Sequence, residues 1–323
     1  MADSNFDPIH YAAQATSVNS GLSSSAGSEA VDNSAEVIQS RLRWVAFRLA
    51  IATWLLMAIG SATRVTNAGL ACPDWPLCYG QLLPWQQMNL QVFLEWFHRL
   101  DAGILVLGTT GMVGYAAAQR RSLPRWILPL AIVAWFTLLS QAVLGALTVT
   151  QLLRFDIVTA HLGTALAFFI MMLVLGTGLL PYQGLGQSRS LRILSVIAAV
   201  AIYGQSIAGA LVGSQWALHQ CLNLQQLCGF MNGHLWGIIP AVGTSLAMII
   251  AAWKTPALHP WCRMLIKGAA ALLLLQLLIG YGTFRLHLQV EPLTVLHQAI
   301  ASGLLAIFVI FSTLIHRNRV ASA

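Results

Sequence analysis

The sequence predicts an all-α integral membrane protein with eight transmembrane helices, arranged as two tandem, pseudo-symmetric four-helix bundles. Three observations carry that prediction. The first is composition: 17 Lys+Arg and 10 Asp+Glu in 323 residues make 8% charged, against 57% hydrophobic and a mean hydropathy of +0.72. A soluble domain carries roughly 25% charged residues and cannot cover its surface with so few. The second is eight apolar stretches, each close to the length of about 20 residues that a helix needs to cross the bilayer core. The third is a set of histidines repeated at one offset along the chain. A cytosolic enzyme is thereby excluded. The composition also argues against nucleic-acid binding. The formal charge of +7 and the pI near 9.5 come from cations spread along the chain, and in a membrane protein that pattern sets topology.

Residues 1–40 stand apart. Ser17 to Ser28 is rich in Ser, Gly and Ala, and five acids (Asp3, Asp7, Glu29, Asp32, Glu36) precede the first cation, Arg41. A secretory signal needs a basic start with an apolar core, and a mitochondrial presequence is Arg-rich and acid-poor. The segment is expected to be a disordered cytoplasmic tail.

The spans follow at about 44–63, 97–117, 126–149, 158–180, 191–213, 234–253, 264–284 and 294–315. They are helical because backbone groups in lipid must be satisfied within the segment. Twelve cations (among them Arg41, Arg43, Arg120, Arg121, Arg189, Lys254 and Arg317) fall in the tail or in the loops from even to odd spans. Three, Arg64, Arg154 and Arg285, fall in the loops from odd to even spans, with Arg99 just inside the second span. The positive-inside bias therefore places both termini in the cytoplasm and the odd-to-even loops outside. Cys72 and Cys78 (CPDWPLC) lie in the first outer loop, and Cys221 and Cys228 (CLNLQQLC) in the third. Two close pairs on the oxidising side read as the disulfides Cys72–Cys78 and Cys221–Cys228; the competing reading is a metal site. Cys262, in a cytoplasmic loop, is expected to be inert.

His98, His161, His234 and His297 each open an even-numbered span at its outer end. His98 and His234 are 136 residues apart, and so are His161 and His297. A Q-x-x-x-G pattern recurs in the odd spans at Gln141–Gly145, Gln205–Gly209 and Gln276–Gly280, while the first span keeps Gly60 but has Leu56 in place of Gln. These repeats indicate a duplicated four-helix unit, whose halves, 41–182 and 183–319, are related by an axis along the membrane normal. Intramembrane ionisable residues are functional candidates, and two imidazoles facing across a bundle suit axial ligation of haem iron. A lone histidine there is more simply an interfacial residue, but four at matched depth and repeated offset favour haem over zinc, which lacks further ligands at that depth. His219 and His287, in outer loops, either line a site or are bystanders, and the bystander reading is the expected one.

The halves differ beside the first histidine. Glu95-Trp-Phe-His98-Arg99 puts a carboxylate, an imidazole and a guanidinium on one helix face, with Glu95 and Arg99 spaced as an i,i+4 ion pair, whereas Met231-Asn-Gly-His234-Leu235 has neither acid nor base. Asp101 is placed to orient the His98 ring. One half thus owns a positioned acid/base and the other does not, so one half is expected to react while the other holds a cofactor. Arg64, Arg99, Arg154 and Arg285 are candidate partners for haem propionates.

Taken together, Gly60-Ser-Ala-Thr-Arg64-Val-Thr-Asn-Ala-Gly69, Cys72-Pro-Asp-Trp-Pro-Leu-Cys78, Glu95-x-x-His98-Arg99 and three further histidines at span entrances resemble the haem A synthase family, in its bacterial form with two outer-loop cysteine pairs. The resemblance covers about residues 44–315. It implies oxidation of the C8 methyl of haem O to a formyl group by successive hydroxylations, with water as the oxygen source, for cytochrome oxidase assembly. It further implies that His98 and His161 embrace the substrate haem, that His234 and His297 ligate a haem b cofactor, and that Glu95 is the catalytic carboxylate. It implies a protohaem farnesyltransferase and an unidentified electron acceptor as partners, a multi-pass place in the bacterial cell membrane, and leaves a homo-oligomer open. The alternative is a bis-histidine di-haem membrane electron-transfer cytochrome, which explains four histidines but gives Glu95 no task.

Overall fold

A computed structural model describes residues 9–184, 189–214, 229–256 and 258–318, with side chains described from Ser34 onward. Among the described residues eight helices are long and apolar enough to cross a membrane, and there is no strand. They are α1 (Ile9–Val65), α2 (Leu90–Ala118), α3 (Ile127–Thr150), α4 (Phe155–Gly178), α5 (Arg189–Val212), α6 (Gly229–Lys254), α7 (Pro260–Arg285) and α8 (Glu291–Arg317). The membrane-crossing part of α1 is Ser34–Val65. Its backbone is helical from Ile9 on, where the composition predicts a disordered tail. Once a helix is nucleated each further residue adds a bond at little cost, and a reading based on core-forming residues does not see that continuation.

The spans sit where the apolar stretches place them, but most helices begin earlier. Asn89 caps α2, its side chain accepting from the Val92 N–H at 3.0 Å, so His98 lies in the third turn of the helix rather than the first. His161, His234 and His297 are likewise a full turn or more inside α4, α6 and α8. The extra turns are mixed in polarity, and hydropathy alone cuts them off. Cys262 also differs from expectation. Pro260 starts α7 behind an N-cap at His259, so Cys262 is a buried helical residue rather than part of a loop.

The neighbour pattern repeats between the halves. In the first, α1 packs on α2 and α4, and α3 on α4; in the second, α5 packs on α6 and α8, and α7 on α8. The halves meet through α1, α4, α5 and α8, whose inner faces form the shared core with Met172, Phe308 and Phe311 fully buried. The C-terminal ends of α1, α3 and α7 close in the same way. The Ala68, Leu153 and Leu288 N–H groups return to the Thr63, Thr148 and Thr283 carbonyls at 2.8, 2.8 and 3.0 Å. Left-handed residues make this turn: Asn67 in the first case, Leu152 and Leu153 in the second, His287 and Leu288 in the third. This is the six-to-one bond of a Schellman ending.

Candidate functional site: two histidine-lined cavities

Among the described residues each histidine pair lines a cavity. The first half holds a cavity of about 390 Å³ lined by Glu95, His98, Arg99, Gln141 and His161, and the second a cavity of about 780 Å³ lined by Gln205, His234, Gln276, Arg285 and His297. Both lie within the usual size range of cofactor and ligand sites. All four sequence-predicted histidines therefore line cavities, two in each.

The glycines of the odd helices show why the rings fit. A Cβ at Gly60 would sit 2.9 Å from Cε1 of His98, one at Gly209 3.0 Å from that of His234, and one at Gly280 2.8 Å from that of His297. Only hydrogen at these positions lets the imidazoles lie against the neighbouring helix. Gly145 is looser, at 3.6 Å from His161. The glutamines one turn earlier hold the histidine-bearing helices. Gln141 donates to the His161 carbonyl at 3.0 Å and to Thr164, and Gln205 donates to the His234 carbonyl at 2.8 Å and lies 3.1 Å from its Nδ1. The Gln276 amide lies 3.3 Å from Nε2 of His297. The Q-x-x-x-G pattern is thus a histidine-seating device, which its repetition reveals but not its purpose.

The His98 and His161 ring centroids are 6.5 Å apart at a steep interplanar angle of 69°. Two imidazoles on opposite sides of one iron require that separation: two metal–nitrogen bonds of about 2 Å each fill roughly 4 Å, and the two ring radii fill the rest. Nδ1 of His98, His161 and His297 is buried with no hydrogen-bond partner, whereas buried polar atoms are ordinarily satisfied. The expected Asp101 contact to the His98 ring does not form. No cluster of three or more His, Cys, Asp or Glu among the described residues offers a zinc site. The residues of the first cavity fit a bis-histidine haem, and His234 and His297 line the second as a matching pair.

Glu95 is 4% exposed and fully engaged. One carboxylate oxygen pairs with Arg99, as the i,i+4 spacing predicts, and the other accepts the Cys72 N–H at 2.8 Å. Arg99 also donates to the Cys72, Asp74 and Leu77 carbonyls. It therefore fastens the loop between α1 and α2 over the cavity, where Trp75 and Pro76 join the lining. The loop is closed on itself by the Cys72–Cys78 disulfide and by Asp74, whose carboxylate accepts from the Tyr79 and Gly80 N–H groups at 2.6 and 2.8 Å. Those bonds, Gly80 foremost, hold the Asp74 carboxyl below its usual range. Cys221, Cys228 and His219 lie outside the described residues.

The four arginines separate by place. Arg64 lines both cavities, Arg285 the second and Arg99 the first. Arg154 lines neither and pairs at 2.7 Å with Asp156 on an exposed surface, so the structure does not bring it to a site. His287, expected to be a bystander, lines the second cavity instead, held there by its left-handed turn. Met57, Leu162 and Gln298 line both cavities and escaped the sequence reading. The available signal was that Leu162 and Gln298 follow His161 and His297 and so share the 136-residue offset.

Comparison with known proteins agrees with this arrangement. Three bacterial proteins named Heme A synthase are similar to the chain. That of Shewanella oneidensis is 30% identical over 206 residues, 57% of this chain and 60% of the relative. Those of Geobacillus thermodenitrificans and Geobacillus kaustophilus are 35% and 33% identical over 153 residues, 45% of this chain and 42% of each relative. The chain thus matches about half the length of these relatives. The family model described as cytochrome oxidase assembly protein matches residues 43–309, every membrane-crossing helix. A match of that extent places the chain in the COX15-CtaA family of cytochrome oxidase assembly proteins, the haem A synthase family that its loop and histidine motifs resemble.

Proposed function

We propose that the protein is a haem A synthase that oxidises the C8 methyl of haem O to a formyl group by successive hydroxylations, with water as the oxygen source. The observation that carries this is the asymmetry of two otherwise matched cavities. The one in the 41–182 half has a buried carboxylate, Glu95, beside its histidine pair, and among the described lining residues the one in the 183–319 half has none. In this reading His98 and His161 seat the substrate haem, and Glu95 takes protons as the methyl group loses electrons. Arg99 and the Cys72 N–H hold the carboxylate in place, so it is positioned before the substrate arrives. Each hydroxylation removes an electron pair, and the hydrate formed by the second loses water to give the aldehyde. His234 and His297 hold a haem b, which supplies one-electron chemistry when bound; Gln205 and Gln276 fix those two histidines. The electrons pass to an acceptor that the sequence does not identify, and a protohaem farnesyltransferase makes the substrate. The protein sits in the bacterial cell membrane with both termini cytoplasmic.

The test is co-expression with a protohaem farnesyltransferase in a host that makes no haem A, followed by mass spectrometry of the extracted haems. Haem A or its hydroxylated intermediate is expected. Glu95→Gln should keep both haem sites fillable and lower formyl product by about a hundredfold or more, the usual contribution of a positioned proton-transfer group. Unmodified haem O alongside a b-type spectrum, with a working synthase as control, would favour the electron-transfer cytochrome.

A further inference from the structure

The duplication makes a geometric demand that the single residue Arg64 resolves. Aligning α1 and α5 on Gly60 and Gly209 pairs Leu56 with Gln205 and Arg64 with Gly213. Equivalent positions of two related halves touch only near the axis that relates them. Arg64 and Gly213 do touch: a Cβ at Gly213 would lie 2.5 Å from Nη1 of Arg64. The guanidinium therefore fills the place that a side chain on the opposite half would take. Leu162 and Gln298, also equivalent, both line both cavities. The wall between the cavities thus follows the axis, and Arg64 stands on it. There is room for one such side chain, and the halves have diverged to supply it from α1 and to clear it on α5.

Among the described residues no carboxylate answers the charge on Arg64. Its Nε is buried with no partner. The carboxylate in the first cavity is taken by Arg99 and the Cys72 N–H, and no carboxylate is among the described residues lining the second. A buried cation without an anion is costly, and a guanidinium with five donors can serve more than one carboxylate.

We propose that Arg64 is a single anion anchor shared by the two cavities, contributed by the first half to both, which binds a carboxylate of whatever tetrapyrrole occupies either one. This rests on the reading of both cavities as haem sites. It differs from the expected roles of Arg99 and Arg285, which each face one cavity.

The two cavities are separated by disabling one at a time. The full-length protein carrying His297→Ala reports haem in the first cavity, and His161→Ala reports haem in the second. Each is stripped and titrated with protohaem in detergent, following the Soret band. Adding Arg64→Gln should weaken protohaem retention about tenfold or more in both backgrounds, as loss of a hydrogen bond to a charged group predicts. Arg285→Gln should weaken it only in the His161→Ala background. Should Arg64→Gln fail to fold, Gly213→Ala keeps the charge but displaces it, and should likewise weaken both sites. Weakening in one background alone, or in neither, overturns the shared anchor. A protein with all four histidines that takes up no protohaem would instead overturn the haem reading itself.

Discussion

At the scale of single residues, the site is made as much by missing atoms as by present ones. Three of the four histidines lie so close to a glycine that a methyl group would have to push the ring aside, and the fourth does not. That difference is a graded prediction. Gly280→Ala places a Cβ 2.8 Å from His297, and Gly145→Ala places one at 3.6 Å from His161, an ordinary contact. Overpacking of the first kind costs about 1–3 kcal/mol, and because the ring must move, on the proposed reading of the second cavity as a haem b site the purified protein should lose b-type absorbance. Gly145→Ala should leave haem content near that of the unaltered protein. Equal losses in both would mean that the glycines serve helix packing in general rather than histidine seating. The sequence shows these glycines as a repeated spacing, and the histidines as a repeated offset. What it hides is the direction in which each glycine faces, because helical register between spans depends on packing that no local pattern encodes. For the same reason Asp101, one turn from His98 and favoured by spacing, has no bond to that ring, while Gln141, Gln205 and Gln276 do reach their histidine partners.

At the scale of elements, the loop between α1 and α2 is a strap built on backbone groups. Arg99 collects three loop carbonyls and Glu95 receives a loop N–H, so the carboxylate is only as well placed as the loop is ordered. Asp74 gives that order a pH dependence. Its carboxyl is held below its ordinary 3.8, first by the Gly80 N–H, also by the Tyr79 N–H and by the charge of Arg99. A carboxyl whose folded value is depressed stabilises the fold above its unfolded value and loses that contribution as pH falls through the folded one. The melting temperature of the unaltered protein should therefore exceed that of Asp74→Asn at neutral pH, and the two should converge as pH is lowered below about 4. A gap that stays constant across that range would show that Asp74 acts through shape rather than charge. The loop's place and its cysteine pair were legible in the sequence. Its role in holding Glu95 was not, since Arg99 reads as a partner of Glu95 and its main-chain acceptors leave no trace in residue type.

At the scale of the whole molecule, the span count, the duplication and the asymmetry between halves are all written in composition and spacing, because lipid imposes one length and one polarity on every helix. The meeting of the two halves is not, and the wall of Met57, Leu162 and Gln298 between the cavities is visible only once α1, α4, α5 and α8 are brought together. The same assembly bears on orientation. Arg43 donates to the Leu179 carbonyl, and Arg317 to those of Thr177 and Leu180, so cations from the start of the membrane-crossing part of α1 and the end of α8 fasten the end of α4. Arg64, Arg285 and the Cys72–Cys78 disulfide lie at the opposite ends of the helices. The fastened end carries most of the positive charge, so in the proposed orientation the positive-inside rule turns it toward the cytoplasm. A disulfide persists only on the oxidising side, so the two arguments, one from charge and one from redox chemistry, must give the same answer. A fluorescent protein fused after Asn318 should then fluoresce, and alkaline phosphatase fused after Arg285 should be active. The opposite pattern would put the bridged cysteines in the reducing compartment, and with them the strap that positions Glu95.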